Sequence, residues 1–179
     1  MNNNLNKKRN GFSLIELLIV VVVIGIIAAI AIPNLLASRR SANSGSAVST
    51  IRLLHSAQMT YASSFGAGDY AGDPGSVVNV SPITQLGAAG IIDSSLAAGG
   101  KSGYLFTGSK VDTAPGNPSS FCVRAVPVSG SGPFATGQYN VAAATDGVIY
   151  TGDAADVNNA GCSLVSGSVT VTSATPFGS

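Results

Sequence analysis

The chain is poor in charge. Only 9% of its 179 residues are Asp, Glu, Lys or Arg, and the formal net charge is +1. With no bulk excess of either sign, composition points neither to nucleic acid nor to an acidic partner. Histidine occurs once, at position 55. With no Cys, Asp or His four residues away, His55 is a poor metal ligand and reads as structural. No Gly-x-Ser-x-Gly stretch occurs and no His-Cys-Asp constellation, so the sequence offers no catalytic centre. Cysteine is scarce too, with Cys122 and Cys162 alone. An even count in an exported or membrane-attached chain suggests one disulfide in an oxidising compartment, and two free buried thiols are the alternative.

What the chain does have is unevenly placed. Most of the Ile and Leu fall within the first 60 residues, whereas the remainder is rich in Gly, Ser, Ala, Thr and Val. From Phe12 to Ile32 the sequence FSLIELLIVVVVIGIIAAIAI holds a single charge, Glu16. Twenty-one helical residues reach about 31 Å, close to the hydrocarbon thickness of a bilayer. Lys7, Lys8 and Arg9 precede the run and favour a cytoplasmic N-terminus, while Arg39 and Arg40 on the far side oppose it more weakly. The run is long for a cleaved secretory signal, and no clear small-residue cleavage site follows it. A carboxylate inside hydrocarbon costs a few kcal/mol unless paired or near an interface, so Glu16 is a functional candidate. Gly25 and Pro33 weaken the same helix, one through low propensity and one through a missing N–H.

The stretch KKRNGFSLIELLIVVVVIGIIAAIAIP resembles the leader and N-terminal helix of the type IV pilin superfamily, which includes the pseudopilins of type II secretion. The shared pattern is a basic leader ending in Gly11, then Phe12, then Glu16 at the fifth position, then an apolar helix. The resemblance implies cleavage between Gly11 and Phe12 by a prepilin peptidase and N-methylation of Phe12. It implies that Glu16 acts in assembly, where it meets the N-terminal amine of a neighbouring subunit. It further implies local melting or kinking between Gly25 and Pro33 when subunits pack. Loss of residues 1–11 would leave six Lys/Arg against eight Asp/Glu, a side-chain net of −2.

Beyond Pro33 the helical spacing resumes from Ala47 through Val48, Ile51, Leu54, Ala57, Tyr61 and Phe65. Tyr61 and Phe65, four apart, read as part of a core stripe. ANSGS at 42–46 is weak helix material that could bend the helix, and GAGDYAGDPG at 66–75 is a stop. Residues 66–102 read as a long connection with a short helical piece. Alternating β-formers mark strands at 103–109, 120–129, 138–145 and 147–152, with Asp146-Gly147 as a hairpin turn.

The expected organisation is a leader (1–11) and a long helix (12–65). Residues 12–32 of the helix would form the membrane or filament core, and 33–65 would be amphipathic. A globular head (66–179) follows. The fold class is α+β and pilin-like, a roughly four-stranded antiparallel sheet packed on the outer half of the helix, with a C-terminal tail. In pilins, a disulfide such as Cys122–Cys162 bounds a surface region of the filament. Some pseudopilins bind calcium near the C-terminus. Asp146, Asp153, Asp156 and Asn158 are weak candidates for that, although their spacing fits no EF-hand loop and solvated turn residues are the favoured reading; no other cofactor is expected.

The resemblance implies a non-enzymatic subunit of a type IV pilus, with a pseudopilin of type II secretion as the alternative. Expected partners are copies of itself in a helical filament, the peptidase, and an inner-membrane platform with its ATPase motor. The chain would sit single-pass in the inner membrane before assembly. It would then be extracellular in a pilus, or periplasmic as a pseudopilin. A minor pilin of DNA uptake is the weaker alternative, because only Lys101, Lys110 and Arg124 are basic beyond residue 65.

Overall fold

A computed structural model describes residues 11–73, 78–153, 161–165, 168–172 and 175–178. Residues 1–10 of the expected leader, including Lys7, Lys8 and Arg9, and the candidates Asp156 and Asn158 lie outside them. The elements in chain order are α1 (Leu14–Ser64), α2 (Ser81–Ala88), α3 (Ser94–Ala97), β1 (Gly100–Lys101), β2 (Tyr104–Val111), β3 (Ser120–Pro127), β4 (Tyr139–Ala144), β5 (Ile149–Asp153), β6 (Gly161–Val165), β7 (Ser168–Thr172) and β8 (Thr175–Pro176). The chain forms two compact units, Met1–Ala37 and Ser38–Ser179, and α1 contributes to both.

In the first unit α1 is apolar all round. It is the one helix among the described residues long and apolar enough to cross a membrane. It runs through both Gly25 and Pro33 as helix. Pro33 has no N–H to give the carbonyl of Ala29. One residue on, the Asn34 side chain donates to the Ile30 carbonyl at 3.2 Å.

In the second unit α1 is amphipathic. Ser44, Ala47, Val48, Ile51, Leu54, Ala57 and Gln58 are buried at three- and four-residue intervals, which is one face of a helix. That face joins a core with Tyr104 and Phe106 of β2, Phe121, Val123 and Ala125 of β3, and Val141 and Ala143 of β4. The strand residues alternate because successive side chains point to opposite faces. Antiparallel pairing sets Phe106 opposite Ala125 and Val123 opposite Ala143, so large and small side chains share a layer. ANSGS remains helical because Ser44 is anchored. Its hydroxyl donates to the Arg40 carbonyl at 2.9 Å and lies 3.0 Å from the Tyr104 hydroxyl. Gln58, fully buried, pairs both ends of its amide with the backbone of Ala71 and fastens the chain just past the helix. The connection between α1 and the sheet carries two short helices, with Ile83, Leu86 and Leu96 in the core.

The α+β architecture is present, but the main sheet has six strands in the order β1-β2-β3-β4-β5-β8, where about four are expected. The four central ones, β2 to β5, follow the alternating segments. β1 and β8 are two-residue edge strands, too short to show a period of two. The expected tail is also partly structured, with β6 and β7 forming a separate antiparallel hairpin over β2–β4. At the β4–β5 turn, Gly147 has φ +75°, the left-handed region that glycine tolerates best.

Leu54 is fully buried and Leu53, beside it, is 45% exposed. Leu54→Ala is expected to cost about 2–5 kcal/mol of head stability through lost burial and a residual cavity. Leu53→Ala should stay within about 0.5 kcal/mol. Urea unfolding of the full chain in detergent micelles distinguishes them, and equal losses would contradict this packing.

Candidate functional site

The N-terminal site is linear. Gly11, Phe12 and Ser13 precede α1, and Glu16 lies in its first turn. Leu17 N donates to the Ser13 carbonyl at 3.2 Å, so Ser13 stands at the start of the helical ladder. Ser13 and Glu16 form the spacing S-x-x-E, a capping-box pattern that the apolar run around it obscures. Glu16 therefore has an ordinary structural reading beside the assembly one: an acid near a helix N-terminus favours helix by itself. Glutamine fits that pattern as well as glutamate, which separates the two.

Glu16 is exposed and makes no ion pair among the described residues. The large apolar side chains from Leu14 to Ile32 are 49% to 82% exposed, and Phe12 is 80% exposed. A contiguous apolar surface of this extent is far beyond what a monomer keeps in water. A surface of this kind marks a site of contact with a membrane or with another protein. A Cβ added at Gly25 would meet nothing within 4 Å, so no packing inside the subunit demands glycine there.

The second candidate is the C-terminal region. Cys122 lies fully buried on the sheet face opposite α1, with Ala144 and Val111 around it. It is bonded to Cys162 of β6, with Cα atoms 5.7 Å apart across a sequence separation of 40. The bond joins the β6–β7 hairpin to the middle of the sheet.

Of the weak calcium candidates, Asp146 and Asp153 are described, and they stand apart. Asp146 sits in the β4–β5 turn, where its carboxylate accepts from Val148 N at 3.1 Å and from the Tyr150 hydroxyl at 2.7 Å. That carboxylate raises the Tyr150 phenol above its ordinary pKa by stabilising the protonated form. Asp153 ends β5 at the other extreme, with the length of the strand, roughly 13 Å at 3.3 Å per residue, between it and the turn. Among the described residues no three His, Cys, Asp or Glu side chains come together as a metal site.

His55 packs its ring on Phe121 at 5.4 Å, and Tyr61 stacks with Phe65 at 5.9 Å. Of the head's basic residues, Lys110 pairs with Asp112 at 2.7 Å. Arg124 is part-buried, which lowers its guanidinium pKa, and donates to Thr107 at 3.1 Å.

A family model described as the prokaryotic N-terminal methylation motif matches residues 6–32. The type IV major pilin protein PilA of Myxococcus xanthus is 43% identical over 56 residues, which cover 31% of this chain and 26% of that protein. The type II secretion system core protein G of Escherichia coli is 39% identical over 54 residues, 30% of this chain and 37% of that one. The type IV wide pilus major component PilA4 of Thermus thermophilus is 60% identical over 37 residues, 21% and 28% respectively. The matched segments thus span roughly a quarter to two fifths of these relatives' length. No solved structure matches the chain.

The apolar helix led by Gly11-Phe12 and carrying Glu16 therefore defines a class, that of chains with a prepilin-type methylation motif. Within that class, the relatives that share this segment are type IV pilins and core pseudopilins of type II secretion.

Closing a loop of 40 residues restricts the unfolded chain, which in the chain-entropy model is worth about 3–4 kcal/mol. Reduction is expected to lower head stability by about that amount in urea titrations. It should also open the C-terminal hairpin to protease before the rest of the sheet. Unchanged stability together with unchanged cleavage would show that the hairpin is held by other contacts.

Proposed function

We propose that the chain is a non-enzymatic structural subunit of a type IV pilus. It is cleaved between Gly11 and Phe12, N-methylated on Phe12 and polymerised through the first part of α1. The observation that carries this reading is the exposed apolar first part of α1, with one carboxylate five residues past Gly11. Before assembly that surface is solvated by the inner membrane, with the N-terminus cytoplasmic. In the filament it is solvated by the same helices of neighbouring copies.

Cleavage creates a positive amine on Phe12, and methylation preserves its charge. Glu16 supplies the negative partner. Amine and carboxylate stand i and i+4 within one chain, close enough to interact. In a filament, the carboxylate of an incoming subunit meets the amine of a neighbour. Either ion alone in an apolar surround is costly, and the two attract strongly at low dielectric. Sliding one helix past another unpairs both, so the pair selects an axial register even where its net stabilisation is small. Melting of the stretch from Gly25 to Pro33, where glycine and proline weaken the helix, would let apolar segments adjust as they pack.

A pilus rather than a secretion role is supported by the hairpin bonded to the sheet, which suits a surface exposed outside the cell. The pseudopilin reading draws on the similarity to core protein G and leads to a periplasmic filament. The prepilin peptidase, an inner-membrane platform and an ATPase motor are the partners in either case. The scattered head charges give less support to a DNA-uptake subunit.

Mass spectrometry of material sheared from intact cells tests the reading. A main component beginning at N-methyl-Phe12 is expected. A processed chain that stays with the inner membrane, with traces in the sheared fraction, would overturn the pilus reading in favour of a pseudopilin.

A further inference from the structure

The loop between β3 and β4 has an unusual composition of forces. It carries Phe134, 80% exposed, and begins at Val128, 63% exposed. It is nevertheless braced along its length. Arg40 Nη2 donates to the carbonyls of Gly132 and Pro133 at 2.8 and 2.7 Å. Asn43 donates to the Thr136 carbonyl at 2.8 Å, and the Thr136 hydroxyl donates to the Gly103 carbonyl at 2.7 Å. Thr136 N closes the loop on the Ser129 carbonyl at 2.8 Å, and Gln138 N donates to the Ser44 hydroxyl at 3.0 Å. Gly137 lies so close under Tyr104 that an added Cβ would fall 2.0 Å from the phenol oxygen. An apolar ring held out on a fixed backbone loses little entropy when it binds.

The braces come from Arg40 to Ser44, where the chain enters the second unit. Arg40 is eight residues past Ile32, the last residue of the apolar run. At 1.5 Å per helical residue, that is about 12 Å of chain. Arg40 bonds the carbonyl of the residue directly before Phe134. Arg39 is exposed, and among the described residues neither arginine pairs with a carboxylate.

We infer that this loop is a membrane-interface foot. Phe134 seats at the boundary of headgroups and acyl chains, and Arg39 lies against anionic headgroups, so the folded unit rests on the bilayer before assembly. An apolar body beside cationic side chains is the chemistry of an interfacial contact. The inference rests on the proposed membrane insertion of the apolar helix. It assigns work to the Arg39-Arg40 pair that opposes the charge bias of the leader: Arg40 holds the loop, and Arg39 faces the lipid.

The chain has no tryptophan, so single Trp variants report one site each. Leu18→Trp, Phe65→Trp and Phe134→Trp would be made in the full processed chain. Each would be reconstituted into vesicles of phosphatidylethanolamine and phosphatidylglycerol, with or without brominated acyl chains. Trp at 134 is expected to emit at shorter wavelength than Trp at 65 and to lose most of its emission to brominated lipid, while Trp at 65 keeps its own. Adding Arg39→Gln to the 134 variant should reduce the seated-to-free ratio by a factor of about five.

Trp at 18 checks the insertion on which the inference rests. If 18 is quenched and 134 is not, the foot is overturned and insertion stands. If 18 is unquenched, the insertion fails and the foot with it. A blue shift at 134 that ignores bromine and grows with protein density would mean that a second copy covers Phe134, which also overturns the inference.

Discussion

One carboxylate in the otherwise uncharged apolar run from Phe12 to Ile32 is the constraint on which the proposed assembly depends. Hydrocarbon tolerates Leu, Ile and Val in any register, because dispersion and burial are non-directional. An assembly made only from such a surface would slide. In the proposed filament Glu16 would remove that freedom, since a charge in an apolar surround is strongly disfavoured until it meets its opposite. In the proposed reading, cleavage after Gly11 would provide that opposite at the Phe12 of a neighbouring subunit. On that proposal processing and assembly would be linked by electrostatics, because before cleavage no positive amine exists at that position.

The same helix meets two different solvents, and its composition changes accordingly. Up to Ile32 it is apolar on every side and exposed within its own unit. From Ser44 onward one face only is apolar, and it packs against Tyr104, Phe106, Phe121 and Val123. The head thus carries its own core, while among the described residues of the first unit none is buried. On the sheet's other face the disulfide does what packing does on the first, holding the hairpin to β3.

The strongest features were legible where chemistry is local. A lone Glu in the otherwise uncharged run from Phe12 to Ile32, Gly-Phe after a basic cluster, and alternation in FCVRA or YLF all announce themselves within a few positions. The odd-numbered Phe121, Val123 and Ala125 turn to the helix and Cys122 turns away, as a period of two requires. Two-residue edge strands have no period to read, which hid β1 and β8. The arginine brace on the 128–138 loop joins groups more than ninety residues apart, and nothing around Arg40 marks its partners. The Gln58 clasp on Ala71 is hidden for a related reason, since a glutamine inside an apolar stripe gives no sign of which backbone it will satisfy. Asp146 and Asp153 show the reverse case, where sequence closeness suggests a cluster and β5 holds them apart.

The measurement that bears most directly on the central role of Glu16 is filament yield from a strain carrying Glu16→Gln. Glutamine keeps the capping pattern with Ser13 and nearly the same shape, and it removes the charge. The expected result is a chain that is cleaved, methylated and membrane-inserted at normal levels, with sheared filaments lost or severely reduced. Normal filaments from that strain would show that Glu16 serves to start a helix, and that the register is set by something other than an ion pair.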